Sequence, residues 1–484
     1  MRMEPFITCI GKALLPMKAL PIICVSILLL HSTVSCAEGT LLNYSHLDHL
    51  AEQIRFGDDT VSIIHVYANY PNYEWVDAKE SGPEGIACVD DAARAAVLYL
   101  RGYELTGDPA TLVEAKRLLR FVAKMQADDG QFYNFILADH SINKDGKTSY
   151  KSFGWWAARG VWAMGVGYHL MKEVDPVFAE LLNSGVRHAL PHVKKILEAY
   201  GRTKTVGTYK IPGWLLYESA ADASSELMLG LSEYYAATND PEVKTILEKL
   251  AEGLLIMQDG DIKSYPYGLH RSWETMWHMW GNGQTQALAT AGALLNNNSM
   301  IQSAEREAQG FYSRRLIEGF MKEMDVTKPD QKIIFEQIAY AVRPMAVGLL
   351  RLYDATGKEE YLTMAGLAAS WLFGNNVLGI PMYDPATGRC YDGIRDSSQV
   401  NRNSGAESTI ESLLTVLEVS QYPDARRFMK YRKVRSASTP RYNYALFLGD
   451  AGEELILAID LQDGRMLLME GEMAEDFIRN ELKE

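Results

Sequence analysis

Apolar residues recur at helical spacing through most of the chain, in runs that are separated alternately by short turns and long loops. In the segment 112–125, for example, apolar side chains fall three or four positions apart and form one stripe, as in an amphipathic helix. Similar runs predict about twelve helices. They lie at about 47–54, 92–103, 112–125, 154–172, 176–199, 217–237, 241–257, 274–295, 301–322, 332–353, 359–373 and 405–419.

A turn of similar composition returns between these runs. It reads Gly-Asp-Pro at 107–109, Asp-Pro at 175–176 and Asn-Asp-Pro at 239–241, so its aspartates are 67 and 65 residues apart. Such a period indicates stacked supersecondary units, and here each unit is a pair of helices. About six helical hairpins fit into the segment 38–430, which predicts an all-α domain built as a closed ring of hairpins.

The pattern changes after residue 430. Apolar and β-branched runs at 442–448 and 455–459 are bounded by Gly-Asp and Asp-Gly turns, which is typical of strands. We therefore expect a small β-rich appendage over 431–484.

The first 37 residues have the layout of an export signal. Lys18 precedes an apolar run at 19–30, and small residues follow at 35–37. The run is too short to span a membrane comfortably. Cleavage near Ala37 is one interpretation; the other is a lipoprotein signal that ends before Cys36, with a lipid on that residue. Either way we expect an exported protein that is periplasmic, secreted or lipid-anchored, and that touches a membrane only through such a lipid.

The amino-acid composition limits the kinds of molecule that the protein is expected to bind. The chain has 484 residues, 47% of them hydrophobic, and a net charge of -14. It is long enough to bury a large core, and its acidity speaks against a nucleic-acid partner, since phosphates require Lys and Arg. Only Cys88 and Cys390 certainly remain after the leader, and no clustered Cys/His spacing or nucleotide fingerprint is present. We expect no cofactor and no metal ion.

The loop lengths indicate where a site would lie. The connections 126–153, 200–216, 258–273 and 374–404 are long, whereas the Asp-Pro turns are short. In alternating antiparallel helices all long loops lie at one end, and long ordered loops are usually functional. We expect the site there, at the starts of the helices that follow.

Three carboxylates at helix starts are the predicted catalytic residues: Asp90, Asp91 and Glu407. The alternative for each is helix capping. In a closed ring the last hairpin touches the first, so Glu407 would approach the aspartates, and Cys88 and Cys390 could pair. Two facing carboxylates are what glycoside hydrolysis needs, with Asp90 or Asp91 as base and Glu407 as acid.

Aromatic and polar side chains at the same helix starts are predicted to bind a sugar. Indole faces can stack on the apolar faces of sugar rings, while acids, amides and arginines take the hydroxyls; core packing is the alternative. The predicted binding residues are Trp155, Trp156, Arg159, Tyr217, Glu218, Asp222, Trp273, Glu274, Trp277, His278, Asn282, Arg343, Asn401 and Asn403.

With this order of elements the chain resembles the six-hairpin glycosidase superfamily, the (α/α)6 toroids, over about 45–430. It is loosely similar to family 9 glycoside hydrolases, whose aspartates lie early and whose acid glutamate lies late, as Asp90, Asp91 and Glu407 do. The stretch 371–379 (WLFGNNVLG) is similar to a Gly-Arg-Asn-Pro-Leu-Gly stretch of that family. The family's DAGD motif is replaced here by VDDAAR at 89–94.

The resemblance implies a carbohydrate-active enzyme, and a glycoside hydrolase acting on a poly- or oligosaccharide is the first expectation. Related toroids include polysaccharide lyases, unsaturated glucuronyl hydrolases and sugar epimerases. A lyase or epimerase acting on uronic acids, through His278, Tyr217, Tyr340 or Arg343, is therefore the second expectation. A glycan-binding protein without catalysis is the third.

Overall fold

The architecture was determined from a computed structural model, which describes residues 41–481. Helices account for almost half of this part of the chain, and we number them α1 to α15. They span Ser45–Leu50, Val89–Thr106, Pro109–Lys124, Trp155–Val174, Pro176–Leu197, Ala221–Thr238, Pro241–Ile256, Gln284–Leu295, Asn298–Glu307, Ser313–Glu318, Val342–Thr356, Glu360–Ala369, Ala406–Ser420, Pro423–Phe428 and Glu472–Glu481.

Six of these helices form a closed inner ring. In order they are α2, α4, α6, α8, α11 and α13; each packs against the next, and α13 packs against α2. The helices α3, α5, α7, α9, α12 and α14 follow them in the chain and lie outside, so that each inner helix and its successor form one hairpin. The predicted (α/α)6 toroid of about six hairpins is confirmed.

The recurring Asp-Pro turn joins an inner helix to its outer partner. Asp108, Asp175 and Asp240 each accept a hydrogen bond from a backbone N–H in the first turn of the outer helix. The proline that follows occupies the first helical position, where no N–H is needed. These turns are short because the capping aspartate and the proline start the next helix at once.

The inner ring is tightest between α4 and α6. A Cβ atom on Gly165 would lie 2.1 Å from the carbonyl oxygen of Gly230, and one on Gly230 would lie 2.5 Å from the Cα of Trp162. Because no side chain fits in that space, two glycines are required where these helices cross.

Three predicted helices begin later than their apolar patterns suggest, and all three differences lie beside the cup described below. Residues 217–220, 274–283 and 332–341 are turns, short strands and single 3-10 turns that precede α6, α8 and α11. The predicted helix 47–54 is replaced by α1 and the strand Ala51–Phe56.

The C-terminal appendage is a four-stranded antiparallel sheet, as expected, and α15 follows it. The other strands form small antiparallel sheets of two or three strands. Most pairs are local hairpins, but Ala87–Cys88 pairs with Phe135–Ile136, and Met276–His278 with Glu323–Asp325, each across a whole helical hairpin. All strands span Ala51–Phe56, Asp59–Ile64, Tyr67–Asn69, Glu74–Val76, Ala87–Cys88, Phe135–Ile136, Thr203–Val206, Tyr209–Pro212, Gln258–Asp259, Leu269–His270, Met276–His278, Glu323–Asp325, Gln337–Ile338, Tyr383–Asp384, Arg389–Cys390, Gly393–Ile394, Val400–Asn401, Arg432–Ser438, Tyr442–Leu448, Glu454–Asp460 and Met466–Glu470.

The export signal and the lipid on Cys36 lie outside the described residues and stay predictions, as do the domain limits at 38–430 and 431–484. Among residues 41–481, none of the helices combines the length and apolar character needed to cross a bilayer.

Candidate active site

Two cavities open where the inner helices begin. The first, which we call the aromatic cavity, has a volume of about 390 Å³. The second, which we call the carboxylate cavity, has a volume of about 330 Å³. Trp155, Tyr217, Ser219, Ala220, Asp222, Trp273 and Glu274 line the aromatic cavity, and Val66, Tyr67, Glu80, Glu336, Ile338, Tyr340, Asp392, Asn401, Gly405, Glu407 and Ser408 line the carboxylate cavity. We call the two together the cup.

Asp90 lies in the first turn of α2 and is partly exposed. Its Oδ1 accepts a hydrogen bond from Arg159 Nη1 at 3.0 Å, and its Oδ2 accepts one from Asn134 Nδ2 at 3.0 Å. Arg159 also lies 5.0 Å from the ring centroid of Trp155. Asp90 and Arg159 are therefore a fixed pair beside the aromatic cavity.

Asp91 points the other way and is buried, with 1% of its side chain exposed. Its Oδ1 accepts from Arg94 Nη2 at 3.1 Å and its Oδ2 from Cys88 Sγ at 3.2 Å. Burial raises the pKa of Asp91 to about 7, against the attraction of Arg94. The predicted catalytic role of Asp91 is therefore corrected: this carboxyl does not reach the cup.

Glu407 lies in the first turn of α13, and 36% of its side chain is exposed. It accepts a hydrogen bond from Arg94 of α2, so the approach across the ring closure takes place as expected. Burial alone would raise the pKa of Glu407, but Arg94 and Arg159 outweigh it and lower that pKa. A lowered pKa suits a base or nucleophile and runs against the expected role of Glu407 as the acid, which stays a prediction.

Asp392 is one of three acidic residues of the carboxylate cavity that sequence reasoning missed; the others are Glu80 and Glu336. It lies in the long connection 374–404 and lines the carboxylate cavity with Glu407. Its Oδ1 accepts from the backbone N–H of Gly405 at 2.9 Å. Burial raises the pKa of Asp392 to about 6, assisted by Glu407 and opposed by the hydrogen bonds from Gly405 and Ser408. Its place in a long loop was the only signal in the sequence.

His278 and Asp222 form a buried pair behind the aromatic cavity. The backbone N–H of Gly281 donates to His278 Nδ1 at 3.0 Å, so in the neutral ring Nε2 carries the proton and donates to Asp222 Oδ2 at 2.8 Å. Burial raises the pKa of Asp222, against the hydrogen bond from His278. With both ring nitrogens engaged, His278 has no free lone pair to offer a substrate.

The aromatic cavity owes its shape to ring packing and to residues with positive φ, which include Glu274 of its lining, with a φ of 41°. The centroid of the His278 ring lies 4.6 Å from that of Trp273 and 3.6 Å from that of Trp280. Tyr217 and Glu218 have φ of 50° and 62°, and the Tyr217 hydroxyl accepts from the backbone N–H of Trp155 at 3.1 Å. This turn lets Tyr217 face the cavity while Glu218 is exposed beside it.

The remaining predicted polar residues lie at the rim. Glu274 forms an ion pair with Lys204 at 2.9 Å, Asn401 lines the carboxylate cavity, and Asn403 Oδ1 accepts from the backbone N–H of Tyr70 at 3.1 Å.

Besides Arg159 and His278, four predicted binding residues are buried and belong to neither cavity lining. Trp156 is in the core and donates through Nε1 to the Phe132 carbonyl at 2.8 Å. Trp277 packs edge-on against Phe311, with ring centroids 4.9 Å apart. These two tryptophans, together with Asn282 and Arg343, are almost fully enclosed, so their predicted contact with substrate is corrected.

A network of buried charges, which we call the axial network, lies beneath the cup. Arg94 and Arg343 both contact Glu411, and Arg343 Nη2 donates to Glu226 Oε1 at 3.1 Å. A similar ion pair lies about two helical turns further from the cup, where Arg351 of α11 pairs with Glu418 of α13.

The other candidate chemistries find little support in residues 41–481. No group of three or more His, Cys, Asp and Glu side chains in this part could hold a metal ion. Cys88 and Cys390 are both buried and free, which corrects the expectation that they could pair.

No protein-family model matches the sequence, and no curated protein matches it significantly. Solved structures match it in fold at low sequence identity. A sugar epimerase from a ruminal bacterium matches 78% of this chain and 95% of its own, with a TM-score of 0.54 and 13% identity. The cellobiose 2-epimerase of Bacillus thermoamylovorans B4167 covers 78% and 96%, with a TM-score of 0.55 and 11% identity. A D-mannose isomerase covers 74% and 91%, with a TM-score of 0.51 and 11% identity. These matches confirm the (α/α)6 fold that the resemblance to six-hairpin glycosidases predicts.

Proposed function

We propose that the protein is a carbohydrate-active enzyme and, more specifically, a glycoside hydrolase that works in the carboxylate cavity. The observation that carries the proposal is the pair Asp392 and Glu407. They line one cavity, and their surroundings move their pKa values in opposite directions. When surroundings move the pKa values of two carboxyl groups apart, one group can stay protonated as the acid while the other is ionised as the base at the same pH.

In this proposal Asp392 is the general acid. Its raised pKa keeps a proton available below about pH 6, and it gives that proton to the leaving oxygen of the glycosidic bond. Glu407 stays ionised beside Arg94 and either activates water or attacks the sugar carbon. Asp90, fixed by Arg159, accepts a hydrogen bond from a sugar hydroxyl.

The aromatic cavity supplies binding. Trp155, Tyr217 and Trp273 offer ring faces to a neighbouring sugar unit, in keeping with the sugar-related names of the matched structures. Within residues 41–481 neither cavity lining includes a lysine or an arginine, which favours an uncharged sugar over a uronic acid.

Sugar epimerisation is the second candidate, because two matched structures are epimerases and one is an isomerase. Such chemistry needs a base to remove a proton from carbon. The engaged nitrogens of His278 do not favour it at that residue.

The test begins with neutral, amino and uronic oligosaccharides, with products identified by mass spectrometry and NMR. Products that have gained water support hydrolysis, an isomer of unchanged mass supports epimerisation, and an unsaturated product supports a lyase. Binding without any product indicates a glycan-binding protein and overturns the proposal.

Two variants then test the roles. Asp392→Asn should abolish cleavage of a natural linkage but largely spare an aryl glycoside with a good leaving group, which needs no acid. Glu407→Gln should abolish both reactions. Asp463→Asn, an exposed carboxylate in the C-terminal sheet, is the control. Equal losses on both substrates for Asp392→Asn would remove Asp392 from the acid role.

A further inference from the structure

Arg343 lies directly beneath the cup and holds three other inner helices together. Its Nε donates to Glu411 of α13, its Nη1 to Gln286 of α8 at 2.9 Å, and its Nη2 to Glu226 of α6 at 3.1 Å. Only 3% of the residue is exposed. A guanidinium with these three partners does not reach a sugar.

Glu411 connects Arg343 to the site. One of its oxygens accepts from Arg343, and the other lies 3.6 Å from Arg94 Nη1. Arg94 in turn donates through Nη2 to Glu407. A chain of three contacts therefore runs from Arg343 to Glu407, and all of its members except Glu407 are almost fully buried.

We propose that Arg343 is a positioning residue for Glu407 and acts through Glu411 and Arg94. Burying a carboxylate without a cation costs free energy, so such a carboxylate pairs with the nearest positive group. With Arg343 present, Glu411 has its own partner and Arg94 serves Glu407. Without Arg343, Glu411 competes for Arg94 and draws it away from Glu407. The catalytic meaning of this contact rests on the proposed function; the coupling itself does not.

The ionisation of Glu407 reports the coupling, because Arg94 is the main cause of its lowered pKa. Every neighbouring element contributes groups that face this carboxylate. They are Asp90, Asp91 and Arg94 of α2, Arg159 of α4, Glu411 of α13, Tyr67, Glu80, Glu336, Tyr340 and Asp392. Arg343→Met changes none of these groups. A shift can therefore pass through Glu411 and Arg94, through Glu226 and Arg159, or through the lost charge of Arg343 itself.

A double-mutant cycle with Glu411 separates the first of these routes from the other two. We expect Arg343→Met to raise the acidic limb of the pH–rate profile by about one pH unit, with little change in KM. Adding Glu411→Gln, which removes the competing carboxylate, should return the limb to the wild-type position. A loss of charge alone, or a shift through Glu226 and Arg159, predicts the same shift with and without Glu411.

Arg351→Met is the matched control, because Arg351 joins the same two helices through Glu418 but lies further from the cup. It should leave the acidic limb unmoved. If Arg343→Met does not fold, Arg343→Lys enters the same cycle and should give a smaller shift of the same sign, because an ammonium cannot reproduce the forked contacts.

A second measurement does not depend on turnover. The pKa of Glu407 can be followed by ¹³C NMR of glutamate-labelled protein, with Glu407→Gln to assign the signal. A wild type that hydrolyses nothing, but in which Arg343→Met raises the pKa of Glu407 and the double variant restores it, keeps the coupling and rejects the proposed function. An unmoved pKa in both Arg343 variants, or an equal shift with and without Glu411, overturns the inference.

Discussion

Arg94 and Glu407 contact each other across the closure of the toroid, although 313 residues separate them in sequence. Arg94 belongs to the first helix of the inner ring and Glu407 to the last. Both lie in the opening turns of their helices, where the cup begins. Closing the ring and assembling the candidate site are therefore one event.

Arg94→Met should destabilise the protein strongly. Asp91 and Arg94 are each 1% exposed, so the substitution leaves a buried carboxyl without its cation. We expect the free energy of unfolding to fall by about 3–5 kcal/mol, measured with urea at pH 7. Arg465→Met, which removes the partner of Asp463 at the surface, should lower that free energy only slightly. Equal losses would contradict the burial of the Asp91–Arg94 pair.

Asp392→Asn should change how stability depends on pH. In the folded protein the pKa of Asp392 is about 6, above the ordinary aspartate value of about 3.9 that it regains on unfolding. A carboxyl with a raised pKa favours the folded state below its unfolded pKa, and this advantage is lost as the pH rises through about 6. The variant should therefore gain stability relative to the wild type between pH 4 and pH 8. Urea unfolding at those two pH values measures the difference, and a constant difference would show that Asp392 titrates normally.

The helical framework could be predicted from the sequence, because apolar stripes and Asp-Pro turns are local signals. The starts of α6, α8 and α11 could not, because the segments before them are rich in aromatic side chains that look helical by pattern. Tyr217 and Glu218 instead adopt positive φ, which stable helices avoid. Backbone strain of this kind concentrates at functional sites, where tertiary contacts determine the backbone conformation.

The residues of the candidate site also divide into those that the sequence could predict and those that it could not. Asp90 and Glu407 were found from their positions at helix starts. That Asp91 turns inward depends on Arg94 and Cys88, which is a matter of packing and not of sequence pattern. Asp392 gains its raised pKa from burial beside residues that the fold brings to it, so no local motif marks it.

Two tryptophans of similar sequence context should behave differently. Trp273 lines the aromatic cavity, so Trp273→Ala should weaken binding of the preferred glycan by about fivefold, roughly 1 kcal/mol, with unfolding little changed. Trp277 is fully buried, so Trp277→Ala should cost about 3–5 kcal/mol of stability. Calorimetric titration and urea unfolding of both variants measure the two effects. The reverse pattern would place the cavity elsewhere.

Gly165→Ala should disturb the crossing of α4 and α6. Its new Cβ would lie 2.1 Å from the backbone oxygen of Gly230, which cannot move without shifting a helix. We expect a loss of about 1–3 kcal/mol, visible as a lower melting temperature. Gly213→Ala, in the loop before α6, is the control, because the atom nearest to its Cβ would be the Arg202 carbonyl oxygen at 3.4 Å, an ordinary contact distance. Equal melting temperatures for the two variants would mean that the crossing is looser than described.

The contact between Arg94 and Glu407 also sets a minimum time between the synthesis of the first inner helix and the closure of the ring. A ribosome adds about 5–20 residues per second, so roughly 15–60 s pass between the emergence of these two partners. During that interval the first hairpin carries an arginine whose last partner does not yet exist, and hydration by water must take its place. The face of α2 that α13 later covers carries apolar residues as well as Arg94, so the arrival of the final hairpin completes the hydrophobic core and the ion pair together.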